Sequence, residues 1–324
     1  MSLKPFIEGS IPYRNIEYSN TDTSVELING KPTRSWMWKW TQDERLEKFF
    51  EFCREFDKRE DRLLRDDYQI FSHRLHWHEH PFVDLMKNVS DPVDRLYYAL
   101  VFSFTNEHWR NLTYLINHGE EFMREHFKYN RHARSDLFQI YYPKDTNVKE
   151  WLLTGPLKAA KALHHHLENG KRYTMMGFAK VLEAHFKKEQ NFRSPLYPCK
   201  NAARYLAMSF PHLIDPESVL FGGTGHFDGM HQIFDGKYLN GKVKYEIDAD
   251  GEFIVKNAQG VEWLRQMKVL CEDRRNPMTC QKMLNVEDKS CFLWKHIAIS
   301  HEVKNPTKRI PYTWIFPKDF FLKK

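Results

Sequence analysis

Residues 41–56 read TQDERLEKFFEFCREF, and this stretch decides the fold class. Thr41 suits the N-cap of a helix, and Glu44, three residues later, completes a capping box. The apolar residues that follow recur at helical spacing, which predicts a helix that continues to about Asp66. These apolar positions are Leu46, Phe49, Phe50, Cys53 and Phe56.

The same periodicity recurs along most of the chain and predicts a mainly α domain. Ser90 or Asp91 begins a second helix, with Pro92 in its first turn. Its buried side is predicted to consist of Leu96, Ala99, Leu100, Phe102 and Phe104. Further helical segments are predicted near 119–129, 156–168, 174–190, 199–209, 259–271 and 285–299.

A small β-hairpin is predicted to interrupt the helices over residues 237–256. Asn240-Gly241 and Asp250-Gly251 are turn signals beside the short runs Val243–Ile247 and Glu252–Val255. No internal repeat or low-complexity linker divides the chain. The sequence therefore predicts a single helical domain over 41–324 with a hairpin insertion.

Residues 1–40 are predicted to form an irregular N-terminal arm, since prolines and glycine interrupt them. Trp36, Trp38 and Trp40 alternate at the end of this arm, which is typical of a strand with all three rings on one face. Two interpretations stay open: a tethering strand that packs on the core, or a surface on which bases stack.

The composition is that of a folded protein with a basic excess. Hydrophobic residues make up 41% and charged residues 28% of the 324 residues, which argues against a disordered chain. The formal net charge of +6 favours a polyanionic partner, and the 15% of aromatic residues could stack on unpaired bases. No run approaches the roughly 20 apolar residues of a membrane helix, so no membrane partner is predicted.

The five cysteines lie at wide spacings, without a Cys-x2-Cys pair, and they predict reduced thiols in a cytoplasmic protein. The N-terminus lacks the apolar run of a signal peptide. Phosphate-binding GxxxxGK[ST], zinc HExxH and nucleophile GxSxG motifs are missing, which argues against the common enzyme classes that depend on them.

No metal or other cofactor is predicted. The histidines at 73, 76, 78 and 80 match no standard zinc spacing, and no cysteine pairs with them. His164, His165 and His166 lie in a helical segment and would point in different directions, so they are assigned no role.

The densest group of polar and glycine residues is the run FGGTGHFDGM at 221–230. Its glycines, Gly223 and Gly225 among them with Thr224 between, would let backbone N–H groups approach a phosphate. A helix that begins at His226 or Phe227 would add a favourable N-terminus. His226 is a candidate acid or base, and Asp228 adds a carboxylate. The alternative is a tight loop that needs glycine for its geometry alone.

Two helical segments carry further candidates. Glu287, Cys291 and Lys295 recur every four residues, so a carboxylate, a thiol and an ammonium share one helix face. The alternative there is a surface ion pair with a buried thiol. Lys200 and Arg204, four residues apart and beside Asn201, could bind DNA phosphates. The alternative there is a solvated basic face.

Four short elements occur between residues 104 and 295. They are Phe104-x-Asn106-x3-Arg110, Gly177-Phe178, Gly223-Thr-Gly225 and Glu287-x3-Cys291-x3-Lys295. In these elements and in their order the chain resembles the phage α-glutamyl/putrescinyl-thymine pyrophosphorylases, also called amino acid:DNA transferases. The Glu-x3-Cys-x3-Lys helix is the specific element.

This resemblance implies a mainly α fold similar to helix-hairpin-helix DNA glycosylases. It implies a transferase that replaces the pyrophosphate of activated 5-hydroxymethyluracil in DNA with an amine, either an amino acid or a polyamine. The enzyme would work in the cytoplasm, that of the host if a phage encodes it. Glu287 or His226 would take the proton of the amine, while the glycine segment and Lys295 would stabilise the leaving phosphates.

Two other functions stay open. A DNA glycosylase or lyase that acts on a modified base could use Asp228 to polarise attack at the sugar carbon. A non-enzymatic DNA-binding protein would contact phosphates without turnover, and its affinity would fall steeply as the salt concentration rises.

Overall fold

The computed structural model describes about two thirds of the chain, and this part is mainly helical. The described residues are 27–28, 31–32, 40–65, 81–105, 109–126, 141–144, 146–218, 224–234, 243–248, 253–279, 281–300 and 320. Within these ranges the helices are α1 (Gln42–Arg65), α2 (Pro81–Met86), α3 (Pro92–Phe104), α4 (Trp109–His126), α5 (Val148–Leu163), α6 (Met175–Gln190), α7 (Leu196–Ser209), α8 (Thr224–Ile233), α9 (Ala258–Glu272) and α10 (Lys282–Ser300). The mainly α prediction is confirmed.

Within the same ranges, six short strands pair in twos. They are β1 (Leu27–Ile28) with β2 (Lys31–Pro32), β3 (Tyr173–Thr174) with β4 (Ile214–Asp215), and β5 (Tyr245–Ile247) with β6 (Phe253–Val255). The last pair is antiparallel, with Glu246 opposite Ile254, so the predicted hairpin is confirmed. Both predicted turns, Asn240-Gly241 and Asp250-Gly251, lie outside the described residues.

The capping box at Thr41 forms as its sequence predicts. The backbone N–H of Thr41 donates to Glu44 Oε2 at 2.7 Å, and the N–H of Glu44 donates to Thr41 Oγ1 at 3.2 Å. Asp91 caps α3 in the same local manner, because its Oδ1 accepts from the N–H of Val93 at 2.7 Å. Both helix starts depend on residues two or three positions apart.

The apolar residues form two separate cores. The first lies among α2, α3, α4, α5, α6 and α7, and the second lies among α1, α8, α9 and α10. Helix α10 joins them, because Leu284 packs in the first core while Val286, Leu293 and Trp294 pack in the second. The face of α7 that meets α10 therefore lies where the two cores adjoin.

Two predicted helix starts were wrong. Helix α5 begins at Val148, well before 156, since Asn147 Oδ1 accepts from the N–H of Lys149 at 3.0 Å and Pro156 is accommodated inside the helix. Helix α4 begins at Trp109 and bends at Gly119, whose φ of 85° interrupts the helical backbone. Neither segment therefore begins where the sequence predicts it, since Pro156 lies inside α5 and Gly119 lies at a kink within α4.

Some predictions fall on residues that the structure does not describe. The histidines at 73–80 and most of the N-terminal arm, including Trp36 and Trp38, are among them, whereas Trp40 is buried in the second core. His164–Leu167 forms a 3-10 helix after α5. In the described ranges no helix combines the length and the apolar character needed to cross a membrane.

Candidate active site

Helices α8 and α10 cross at very short range, and two glycines of α8 make this possible. A Cβ atom at Gly225 would lie 2.7 Å from Cys291 Sγ, and a Cβ atom at Gly229 would overlap the backbone carbonyl of Ser290. The structure thus brings together the two segments that the sequence singled out. It also corrects the loop interpretation, because the chain is already helical from Thr224 and these glycines serve helix packing.

His226, on α8, is held by hydrogen bonds on both sides of its ring. Trp263 Nε1–H donates to His226 Nε2 at 2.5 Å, which leaves the proton on Nδ1. Nδ1–H donates to Ser290 Oγ at 2.5 Å, and the Ser290 hydroxyl donates to the carbonyl of Glu287 at 2.9 Å. Because both ring nitrogens are engaged in hydrogen bonds, His226 orders the contact among α8, α9 and α10.

We expect His226 to make the protein sensitive to mild acid. Burial lowers the pKa of His226 from 6.5 to about 3, so the folded state keeps the ring neutral where the unfolded chain binds a proton. Stability is therefore lost as the pH falls from 6.5 towards 3, by about 1.4 kcal/mol for each pH unit. Urea unfolding of the wild type and His226→Gln at several pH values measures this, and parallel stability curves would contradict it.

Glu287 is buried where α10 meets α7. Glu287 is 2% exposed, and neither of its carboxylate oxygens has a hydrogen-bond partner among the described residues. Burial raises the pKa of Glu287 well above its usual range, while the nearby Lys200 and Arg204 act in the opposite direction. A buried carboxyl whose pKa is shifted by burial and by nearby charges is common in active sites.

Lys200 and Arg204 approach Glu287 and Asp288 from α7. Arg204 Nη2 lies 3.1 Å from Asp288 Oδ2 and 3.2 Å from its Oδ1, and its side chain is only 8% exposed. Burial lowers the pKa of Lys200, and the charge of Glu287 partly offsets this. Arg204 is thus buried rather than solvated, and both cations face the carboxylates of Glu287 and Asp288. Their contact with DNA phosphates stays a prediction.

The other predicted site residues are spread along the same elements. Asp228 is half-buried on α8, Cys291 is half-buried on α10, and Asn201 is buried on α7. Lys295 belongs to α10 two turns after Glu287, and Arg110 belongs to the first turn of α4. Asn106 and Gly223 lie outside the described residues.

Sequence analysis missed three residues that complete this arrangement. Asp288 pairs with Arg204 across 84 residues of chain, and Trp263 and Ser290 fix the His226 ring. The charge of Asp288, directly after Glu287, was the only available signal. Among the residues that the structure describes, no three histidine, cysteine, aspartate or glutamate side chains are grouped as metal ligands would be.

The contact between Gly225 and Cys291 makes a testable prediction about packing. Gly225→Ala is expected to destabilise the protein by about 1–3 kcal/mol, since the added Cβ overlaps Cys291 Sγ. Cys291→Ala removes that sulfur, so the double variant should recover most of the loss. Urea unfolding of the two single variants and the double variant measures the coupling, and purely additive effects would refute the packing explanation.

Comparison of the chain with protein-family models, with curated proteins and with solved structures finds no match in any of the three.

Proposed function

We propose that this chain is an enzyme that transfers an amine to an activated pyrimidine in DNA, with Glu287 as the base that deprotonates the amine. One observation carries the proposal: a buried carboxylate that has no hydrogen-bond partner in the described part of the chain lies beside two cations, at the first position of the Glu-x3-Cys-x3-Lys helix. The resemblance supplies the substrate, 5-hydroxymethyluracil activated as its pyrophosphate ester, and a helix-hairpin-helix glycosylase-like arrangement of the helices.

The electrostatics of Glu287 suit a proton acceptor. A carboxylate is an effective general base when its pKa rises towards the working pH, and burial moves the pKa of Glu287 in that direction. Lys200, half-buried beside it, supplies positive charge where the leaving group develops negative charge. The proposed site thus combines a base on α10, Glu287, with a cation on α7, Lys200.

The reaction can be written so that every atom is accounted for. The amine nitrogen forms a bond to the exocyclic carbon of the base, and the bond from that carbon to the pyrophosphate oxygen breaks, with its electron pair leaving on oxygen. The proton lost by the nitrogen passes to the Glu287 carboxylate and then to water. The products are an amine-substituted pyrimidine in DNA and inorganic pyrophosphate.

The test is direct. The protein is incubated with DNA that contains pyrophosphorylated 5-hydroxymethyluracil and with a panel of amino acids and polyamines, and the digested nucleosides are weighed by mass spectrometry. We expect a nucleoside whose mass is that of 5-hydroxymethyldeoxyuridine plus the amine minus one water, and no such nucleoside with DNA that lacks the pyrophosphate. Release of free base would identify a glycosylase or lyase instead. DNA binding without any product would identify a non-enzymatic binding protein.

A further inference from the structure

An aromatic pair lies at the N-terminal end of α7, one helical turn before Lys200. Tyr197, in the first turn of α7, is 53% exposed, and its ring centroid lies 5.3 Å from that of the half-buried Tyr141 at an interplanar angle of 41°. The backbone N–H of Tyr141 donates to the carbonyl of Phe104 at 2.9 Å, which ties the pair to the end of α3. The exposed ring is therefore fixed on a rigid support.

One face of α7 carries both the Tyr197 ring and polar residues that lie deeper in the protein. Lys200 and Asn201 lie three and four residues after Tyr197, so all three occupy one face of the helix. Asn201 is 2% exposed, and its Nδ2 group has no hydrogen-bond partner within the described ranges. An unsatisfied buried donor is costly, which indicates that a ligand acceptor completes it.

We infer that the Tyr141–Tyr197 pair is the platform on which the target pyrimidine stacks after it leaves the double helix, with Asn201 donating to a carbonyl of the base. This inference rests on the proposed function and specifies how its substrate is held. A paired base cannot bring its exocyclic carbon to a carboxylate as buried as that of Glu287, so the base must be extruded. Stacking on an aromatic ring offsets part of the cost of unpairing.

The inference makes Tyr197 a positioning residue with a defined binding signature. Fluorescein-labelled oligonucleotides carry one 5-hydroxymethyluracil in three settings: single-stranded, opposite adenine, or opposite a mismatched base. By fluorescence anisotropy, the wild type should bind the mismatched and single-stranded targets about tenfold or more tightly than the paired one, because unpairing costs a few kcal/mol. Tyr197→Ala should weaken binding about 5- to 150-fold, whereas Tyr197→Phe should retain it.

A matched control separates stacking on the Tyr141–Tyr197 pair from a general loss of aromatic surface. Tyr114 lies on α4 and stacks against Phe122, with ring centroids 5.3 Å apart, and Tyr114→Ala should leave the affinity unchanged. Equal affinities of Tyr197→Ala and the wild type would overturn the inference, as would absence of DNA binding by the wild type. If binding follows the expected pattern but no amine is transferred, the platform stands and the proposed reaction alone fails.

Discussion

Replacing Glu287 by glutamine is expected to lower the rate of amine transfer by about 10²- to 10⁴-fold, the usual cost of losing a general base. Glutamine keeps the volume of the side chain but cannot accept the amine proton. The rate is measured on pyrophosphorylated 5-hydroxymethyluracil DNA by the appearance of the amine-substituted nucleoside. DNA affinity, measured in parallel, should change little because the carboxylate acts on the amine.

Glu183 provides a matched control for this experiment. It is another buried glutamate, on α6, but its two oxygens are each 2.7 Å from a lysine, Lys180 or Lys187. Glu183→Gln should lose stability through these ion pairs and keep the transfer rate of its folded fraction. A Glu287→Gln protein that folds, binds DNA and reacts at the wild-type rate would remove the proton acceptor from the proposal.

The same variant has a stability signature with a definite sign. The pKa of Glu287 is raised in the folded state above its value of 4.5 in the unfolded chain. Its contribution is fully present below that value and is lost as the pH rises through the folded pKa. As the pH rises from 4.5 to the folded pKa of Glu287, the wild type should therefore lose stability relative to Glu287→Gln. Urea unfolding from pH 4 upward tests this, and a constant difference between the proteins would contradict it.

Gly229→Ala is expected to have the largest effect on folding, about 3 kcal/mol or more. The new Cβ would overlap the backbone carbonyl of Ser290, and backbone atoms inside a helix cannot move aside as a flexible side chain can. Helices α8 and α10 would have to separate, which would also disturb the hydrogen bond from His226 to Ser290. Urea unfolding gives the loss of stability directly.

Gly170 is the control for this substitution. Its φ of 73° disfavours alanine, but a Cβ there meets no atom within 4 Å, so Gly170→Ala should cost only about 1–2 kcal/mol. A similar small cost at Gly229 would show that α8 and α10 are not packed as closely as described.

The sequence by itself determined the features that depend on neighbouring residues. The capping box of Thr41 and Glu44, the cap of α3 at Asp91 and the β5–β6 hairpin all form as predicted, because their hydrogen bonds join residues close in sequence. The helical stripe that carries Glu287 was visible for the same reason. The two helix caps and the helical stripe belong to the mainly α character of the described chain, which the sequence predicts.

The tertiary structure alone decided what the candidate site residues contact. Periodicity placed Lys200 and Arg204 on one helix face but could not show that this face meets Glu287 and Asp288, since residue 288 lies 84 positions after its partner. Likewise, the four glycines of 222–229 resembled a phosphate-binding loop until the crossing of α8 and α10 explained two of them, Gly225 and Gly229. Burial and pairing depend on which helices pack together, and that choice is made by contacts far apart in the sequence.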